Sequence, residues 1–253
     1  MPEMIPNGST SRAAVVLCGG QGRRMNADKA WLRVGNELLL QRIVRLVSMA
    51  VPRIVVAARY NQSLPQLADH VTIVRDALSN GGPLAGMSAA FAELADTTHA
   101  AFVCACDHPL LRPSLIEGLF ARFDLLQQQE RSGEPALPDA PCNVRCEDRN
   151  TPSKKESHTP ATRSAFSALI PCYDGCAQSL LGIYALSSVR LLHTLLDSGE
   201  RRVGSFVAQC GAHYINANEL RDCDPHLDSF LGANTPDELS SILRRLDPSN
   251  NNT

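Results

Sequence analysis

Apolar positions along the chain fall into two kinds of run. Short continuous runs of Val, Ile, Leu and Ala stand at 13–17, 53–58, 71–74, 100–105, 180–186 and 212–215. Runs of that length and composition, without polar alternation, predict strands covered on both faces, as in a parallel sheet. Between them the spacing changes to a helical one. Leu39, Ile43, Leu46 and Val47 form one stripe of a helix over 38–49. Further helices are expected over 83–94, 113–126, 187–196 and 203–210, with Pro83 and Pro113 at tolerated first-turn positions. A last helix opens at Thr235-Pro236-Asp237-Glu238, where Thr as N-cap and Glu three residues on make a capping box. Strand–helix alternation predicts a doubly wound α/β fold with its ligand beyond the carboxyl ends of the strands.

One stretch breaks the pattern. Residues 127–165 contain no aromatic residue and no Ile, but five prolines, and six acids offset six bases. Such a segment buries too little apolar area to offset its ordering entropy, which predicts a mobile insertion. Residues 1–12 and 247–253 are expected to be disordered tails around a single domain at 13–246.

Composition narrows the classes. With 44% apolar and 20% charged residues the chain can bury a core. A net charge of −2 gives no reason to expect nucleic acid or a membrane surface as partner. No apolar run reaches the roughly 18 residues of a membrane span. No secretory leader is visible at 1–12, which points to the cytoplasm. There are nine cysteines. Cys18, Cys104 and Cys106 read as reduced thiols acting as small hydrophobes. Cys142 and Cys146, with Cys172 and Cys176, could instead form a zinc site or a redox pair, the basis of a non-enzymatic alternative.

The candidate chemistry is local. Cys18-Gly19-Gly20-Gln21-Gly22-Arg23-Arg24 follows the first strand, with Lys29 shortly after. Glycines bring main-chain N–H groups close to a ligand, and the cations suit a triphosphate. The spacing fits neither the Walker loop nor the dinucleotide fingerprint. Asp107 follows the strand at 100–105, where a carboxylate reaches the ligand crevice and suits Mg²⁺. His108 beside it reads as a turn residue. Asp76 similarly ends the strand at 71–74. Gly82 and Gly86 open a helix whose free amides could meet a nucleotide.

Together these segments resemble the molybdenum cofactor guanylyltransferase family, within the nucleotidyltransferases. The matching residues are Leu17-Cys18-Gly19-Gly20, Arg23-Arg24-Met25, Asp28-Lys29, Asp76, Gly82 to Met87, Cys106 to Pro109, Gly199 to Val203, and Asn234 to Leu239. The resemblance implies a three-layer α/β/α, Rossmann-like fold with a mostly parallel sheet. It implies that GTP and molybdopterin-bound molybdenum give the guanine dinucleotide cofactor and pyrophosphate, with Mg²⁺. By position, Leu17, Cys18, Gly19, Gly20, Gly22, Lys29, Asp76, Gly82, Gly86 and Asp107 would hold the nucleotide. Asp107 would also hold the metal, Lys29, Arg23 and Asp107 would carry catalysis, and Arg201 and Asn234 would lie near the second substrate. The product would pass to molybdenum-insertion proteins or molybdoenzyme chaperones. Departures from the family pattern are Cys18 for Ala, Asn26 for Gly, Gly232 for Asn, and Ala57 where relatives carry an Asn near the base. Alternatives are a CTP-dependent molybdopterin cytidylyltransferase, a nucleotide-sugar pyrophosphorylase, or a GTP-binding partner protein without catalysis.

Overall fold

The computed structural model describes residues 11–19, 28–76, 81–133, 139–142 and 166–246. The strands are β1 (Arg12–Leu17), β2 (Arg33–Val34), β3 (Glu37–Leu38), β4 (Arg53–Arg59), β5 (Val71–Asp76), β6 (Ala100–Ala105), β7 (Ala168–Tyr173), β8 (Cys176–Ala177), β9 (Leu181–Ala185) and β10 (Ala212–Asn216). The helices are α1 (Leu39–Ser48), α2 (Gly82–Leu94), α3 (Pro113–Ser132), α4 (Val189–Asp197), α5 (Val203–Val207) and α6 (Pro236–Leu246). No helix among the described residues is long and apolar enough to cross a membrane.

The main sheet has the order β10-β7-β9-β6-β1-β4-β5, with β8 paired to β7. Pairs β1–β4, β1–β6, β4–β5 and β7–β10 are parallel, and β9 runs antiparallel to both β6 and β7. Successive side chains of a strand point to opposite faces, and here each face meets its own apolar layer. Ala14, Val16 and Cys18 face α1 and α3, among Leu40, Ile43, Leu115 and Phe120. Ala13, Val15 and Leu17 face α2, α4 and α5, among Leu84, Phe91, Leu192 and Phe206. Coverage on both faces explains why these strands read as unbroken apolar runs.

Several expectations need correction. Helix α3 continues to Ser132, beyond the expected stop at 126, and ends on Gly133 at φ +74°. The first part of the expected insertion, 127–132, is therefore helical. Gln127 accounts for part of this by bonding His99 at 2.7 Å. Residues 139–142 are docked rather than loose. Ala140 N–H donates to Tyr214 O at 2.9 Å, Tyr214 N–H donates to Asp139 Oδ1 at 2.9 Å, and His213 lies 2.8 Å from the same oxygen. These contacts cover the edge of β10. Cys142 is disulfide-bonded to Cys172, and Cys176 is disulfide-bonded as well, so these cysteines do not supply the four thiolates of the zinc alternative. Cys18, Cys104, Cys106 and Cys210 are free and buried, as small hydrophobes should be. Strand β7 is an addition to the expected elements, and Pro171 stands within it. Helix α5 is shorter than expected, ending at Val207. The capping box at α6 does form: Glu238 N–H donates to Thr235 Oγ1, and Glu238 Oε2 accepts from Thr235 N–H.

Candidate active site

Strands β1 and β6 are neighbours, in a register that sets Leu17 opposite Ala105. The chain leaves both strands at the same end of the sheet, so Cys18-Gly19 and Cys106-Asp107 emerge side by side. Cys106 N–H donates to Leu17 O at 3.1 Å, and Cys18 N–H donates to Ala57 O at 3.0 Å on the other flank. Parallel pairing thus places the start of the glycine loop beside the carboxylate. Residues Gly20, Gly22 and Arg23 lie outside the described residues.

Lys29 begins a short 3₁₀ turn (Lys29–Trp31) capped by Asp28, whose side chain accepts from Ala30 N–H at 3.0 Å. That turn aims the Lys29 ammonium at the sheet end. Lys29 Nζ donates to Asp107 Oδ2 at 2.7 Å and to Asn234 Oδ1 at 2.8 Å. Lys29, Asp107 and Asn234 therefore meet. The side chains of Lys29 and Asp107 are 15% and 16% exposed, so the pair is shielded from solvent. Burial works to raise the Asp107 carboxyl, but His108, Lys29 and the hydrogen bond from Lys29 outweigh it and hold the group below its ordinary range. The other oxygen, Asp107 Oδ1, is buried without a hydrogen-bond partner. A buried carboxylate oxygen that accepts no hydrogen bond, with His108 Nε2 at 3.5 Å, suits a hard divalent cation.

The segment 224–234 closes one side. Ala233 N–H donates to Asp107 O at 2.8 Å, and His108 Nδ1 lies 3.0 Å from Ser229 O. His108 is thus a buried turn residue with a specific partner. Gly232 has a local reason: a Cβ there would stand 2.9 Å from Asn234 Nδ2.

The β4 side carries contacts that sequence reasoning missed. Gln62 is 6% exposed, and its Nε2 donates to Cys18 O at 3.0 Å and to Asp28 Oδ2 at 2.9 Å. It ties the loop start to the cap of the Lys29 turn. A lone Gln in an irregular stretch offered no signal for this. Ala57 is buried in register with Leu17, and its carbonyl accepts from Cys18 N–H. Asp76 ends β5 in register with Arg59.

The α2 side is shaped by close approach. Gly86 packs beside Leu17 and Ala57, and a Cβ there would stand 3.4 Å from each. Gly82 has φ +68°, and its missing Cβ leaves room for Arg201 O at 3.0 Å. The Arg201 guanidinium is held by main-chain carbonyls. Its Nη1 donates to Leu196 O at 2.9 Å and Glu200 O at 2.7 Å, tying it to the carboxyl end of α4. The placement of Arg201 at the second substrate gains no support from these bonds.

Known proteins share the fold and the family of this chain. Residues 14–213 match the family model described as a MobA-like NTP transferase domain. A probable molybdenum cofactor guanylyltransferase of Pelotomaculum thermopropionicum is 23% identical over 225 residues, covering 89% of this chain and 88% of that one. The crystal structure of molybdopterin-guanine dinucleotide biosynthesis protein A from Archaeoglobus fulgidus is similar with a TM-score of 0.64 at 22% identity, over 94% of this chain and 99% of that one. A 2-C-methyl-D-erythritol 4-phosphate cytidylyltransferase from Thermus thermophilus shares the fold with a TM-score of 0.53 at 16% identity, over 92% and 97%. The zinc- or redox-responsive binding protein is thereby set aside as the main reading, and the chain belongs to the MobA-like NTP transferase family and is a nucleotidyltransferase.

Proposed function

We propose that the chain transfers GMP from GTP to the terminal phosphate of molybdopterin-bound molybdenum cofactor, releasing pyrophosphate. The observation that carries the reading is the shielded Lys29–Asp107 pair at the sheet end where Cys18-Gly19 emerges, with Asp107 Oδ1 accepting no hydrogen bond. The relatives in Pelotomaculum thermopropionicum and Methanosarcina mazei, each named a probable molybdenum cofactor guanylyltransferase, support the choice of substrates.

The attacking phosphate is already anionic near neutral pH, so no strong general base is required. The work left to the protein is positioning and charge neutralisation. Gly19, just past the strand, would bring its main chain against the triphosphate, while Cys18 N–H stays bonded to Ala57 O. Lys29 would place its ammonium against the phosphoryl oxygens, steered by Asn234 Oδ1. Asp107 would hold the divalent cation, Mg²⁺ in this reading, through Oδ1. That ion, when bound, would supply Lewis-acid stabilisation of the phosphoryl oxygens. The recipients expected from the sequence, molybdenum-insertion proteins or molybdoenzyme chaperones, belong to the same proposal.

The test is pyrophosphate release with Mg²⁺, the molybdopterin substrate, and GTP, CTP or ATP in turn. GTP is expected to support turnover best, and preference for CTP overturns the guanylyl assignment in favour of the cytidylyl alternative. Asp107→Ala should lower turnover by about a hundredfold or more, as for loss of one transition-state contact. Turnover within about tenfold of the parent removes Asp107 from the metal role.

A further inference from the structure

Asp224 is fully buried, and no step of the proposed transfer uses it. Its carboxylate is engaged on both oxygens. Oδ2 accepts from Ser229 N–H at 2.9 Å, and Oδ1 accepts from Asp228 N–H at 3.3 Å. Arg112 Nε stands 3.2 Å from Oδ1, while Arg112 N–H donates to Ser229 Oγ at 3.0 Å. Withdrawing a carboxylate from water is costly unless it is paired and hydrogen-bonded. Stability alone is a poor reason for such a pair, since apolar side chains of like volume often serve as well.

The bonds from Asp228 and Ser229 cap a short 3₁₀ turn (Asp228–Phe230). Leu227, just before that turn, has φ +56°, in the left-handed region that a side chain of its kind rarely adopts. A residue stays there only when its surroundings over-determine it. Leu227 N–H donates to Asp224 O at 3.0 Å, and Phe230 stacks on Tyr173 with ring centroids 5.1 Å apart. The chain then runs straight into the site. Ala233 N–H donates to Asp107 O at 2.8 Å, and Asn234 Oδ1 accepts from Lys29 Nζ at 2.8 Å. At the far end Asn234 N–H donates to Glu238 Oε2 at 2.8 Å. The run is therefore pinned at its entry by Asp224 and at its exit by the α6 capping box.

We propose that Asp224 is a positioning residue for the transfer. By capping the 228–230 turn it fixes the run that seats Asn234 against Lys29 and Ala233 against Asp107. The proposal rests on the Lys29–Asp107 reading of the site and adds to it a residue that acts only through others. Loosening the entry leaves the ammonium displaced from where charge develops in the transition state.

The experiment measures pyrophosphate release from GTP with Mg²⁺ and the molybdopterin substrate, on the full chain well below its melting temperature. Asp224→Asn keeps the volume but turns an amide N–H towards groups that themselves donate. Its kcat is expected to fall about tenfold, with KM for GTP changing less than about threefold. Asn234→Ala should lower kcat by a similar factor. The double variant should lose little beyond the larger single loss, because both changes act on the same ammonium. Should Asp224→Asn fail to fold, Arg112→Gln, at a side chain 44% exposed, loosens the same carboxylate and carries the same comparison with Asn234→Ala. A kcat for Asp224→Asn within about threefold of the parent overturns the positioning role. So do losses that multiply in the double variant, as a purely structural residue would give. Either result leaves the Lys29–Asp107 reading standing. Turnover of Asp107→Ala within about tenfold of the parent overturns both.

Discussion

Lys29 Nζ stands 2.7 Å from Asp107 Oδ2, joining residues 78 apart in sequence through a pair largely withdrawn from solvent. Truncating one partner leaves the other charge uncompensated. Lys29→Ala should therefore lower turnover by about 10²–10³, the range for losing one transition-state donor. Lys29→Ala combined with Asp107→Ala should cost well below the product of the single losses, because the two act as a unit. Pyrophosphate release from the single and double variants checks this; simple multiplication of the losses would show that they act separately.

Gly232 and Gly182 make a contrasting pair. A Cβ at Gly232 would meet Asn234 Nδ2 at 2.9 Å, the far end of a side chain that can move. Gly232→Ala should leave the melting temperature nearly unchanged but dislodge Asn234 from Lys29, lowering kcat/KM about tenfold, as for one hydrogen bond to a charged group. A Cβ at Gly182 would meet Leu169 O at 2.9 Å and Ile170 Cδ1 at 2.8 Å, within the sheet. Gly182→Ala should cost about 1–3 kcal/mol of stability. Melting curves and steady-state kinetics on both variants separate the two outcomes.

The Cys142–Cys172 disulfide spans a sequence separation of 30 residues. In the chain-entropy account, closing such a loop is worth about 2–4 kcal/mol. Cys142→Ser should lower the unfolding free energy by that order and speed hydrogen exchange at Ala140 N–H, which pairs with Tyr214 O. Unchanged exchange there would mean that the hydrogen bonds hold 139–142 without the crosslink.

Burial pushes the Cys18 and Cys210 thiols up to about 12, and Cys106 well above its ordinary 9.0. The folded chain therefore holds these protons more tightly than the unfolded chain. The associated stability is present below pH 9 and is lost as pH rises towards 12, by up to about 1.4 kcal/mol per pH unit for each thiol. Urea midpoints measured at pH 8, 9 and 10 should fall across the series, and Cys18→Ala should flatten the decline.

The sheet was largely legible because both its faces are covered. Strands such as Ala13 to Leu17 and Ala100 to Ala105 had to read as apolar without interruption. Asp107 and Lys29 were legible as chemistry because each stands just beyond a strand or loop where charge has no packing role. Their direct contact was not, since it depends on parallel pairing between strands far apart in sequence. Strand β7 was not read from the sequence; Pro171 within it lacks an N–H, yet its carbonyl accepts from Gln178 N–H at 2.8 Å. Gln62 and Asp224 were invisible for a different reason. Their importance lies in partners at Cys18 and Ser229, and no local periodicity marks such a bond.

The contact of Lys29 with Asn234 sets an order on biosynthesis. Residue 29 leaves the ribosome early, yet its ammonium has its full set of partners only after residue 234 has been made. A nascent chain can therefore build most of its sheet before it can hold the ammonium in place. A chain that ends before Asn234 lacks one of the two side-chain anchors of the Lys29 ammonium.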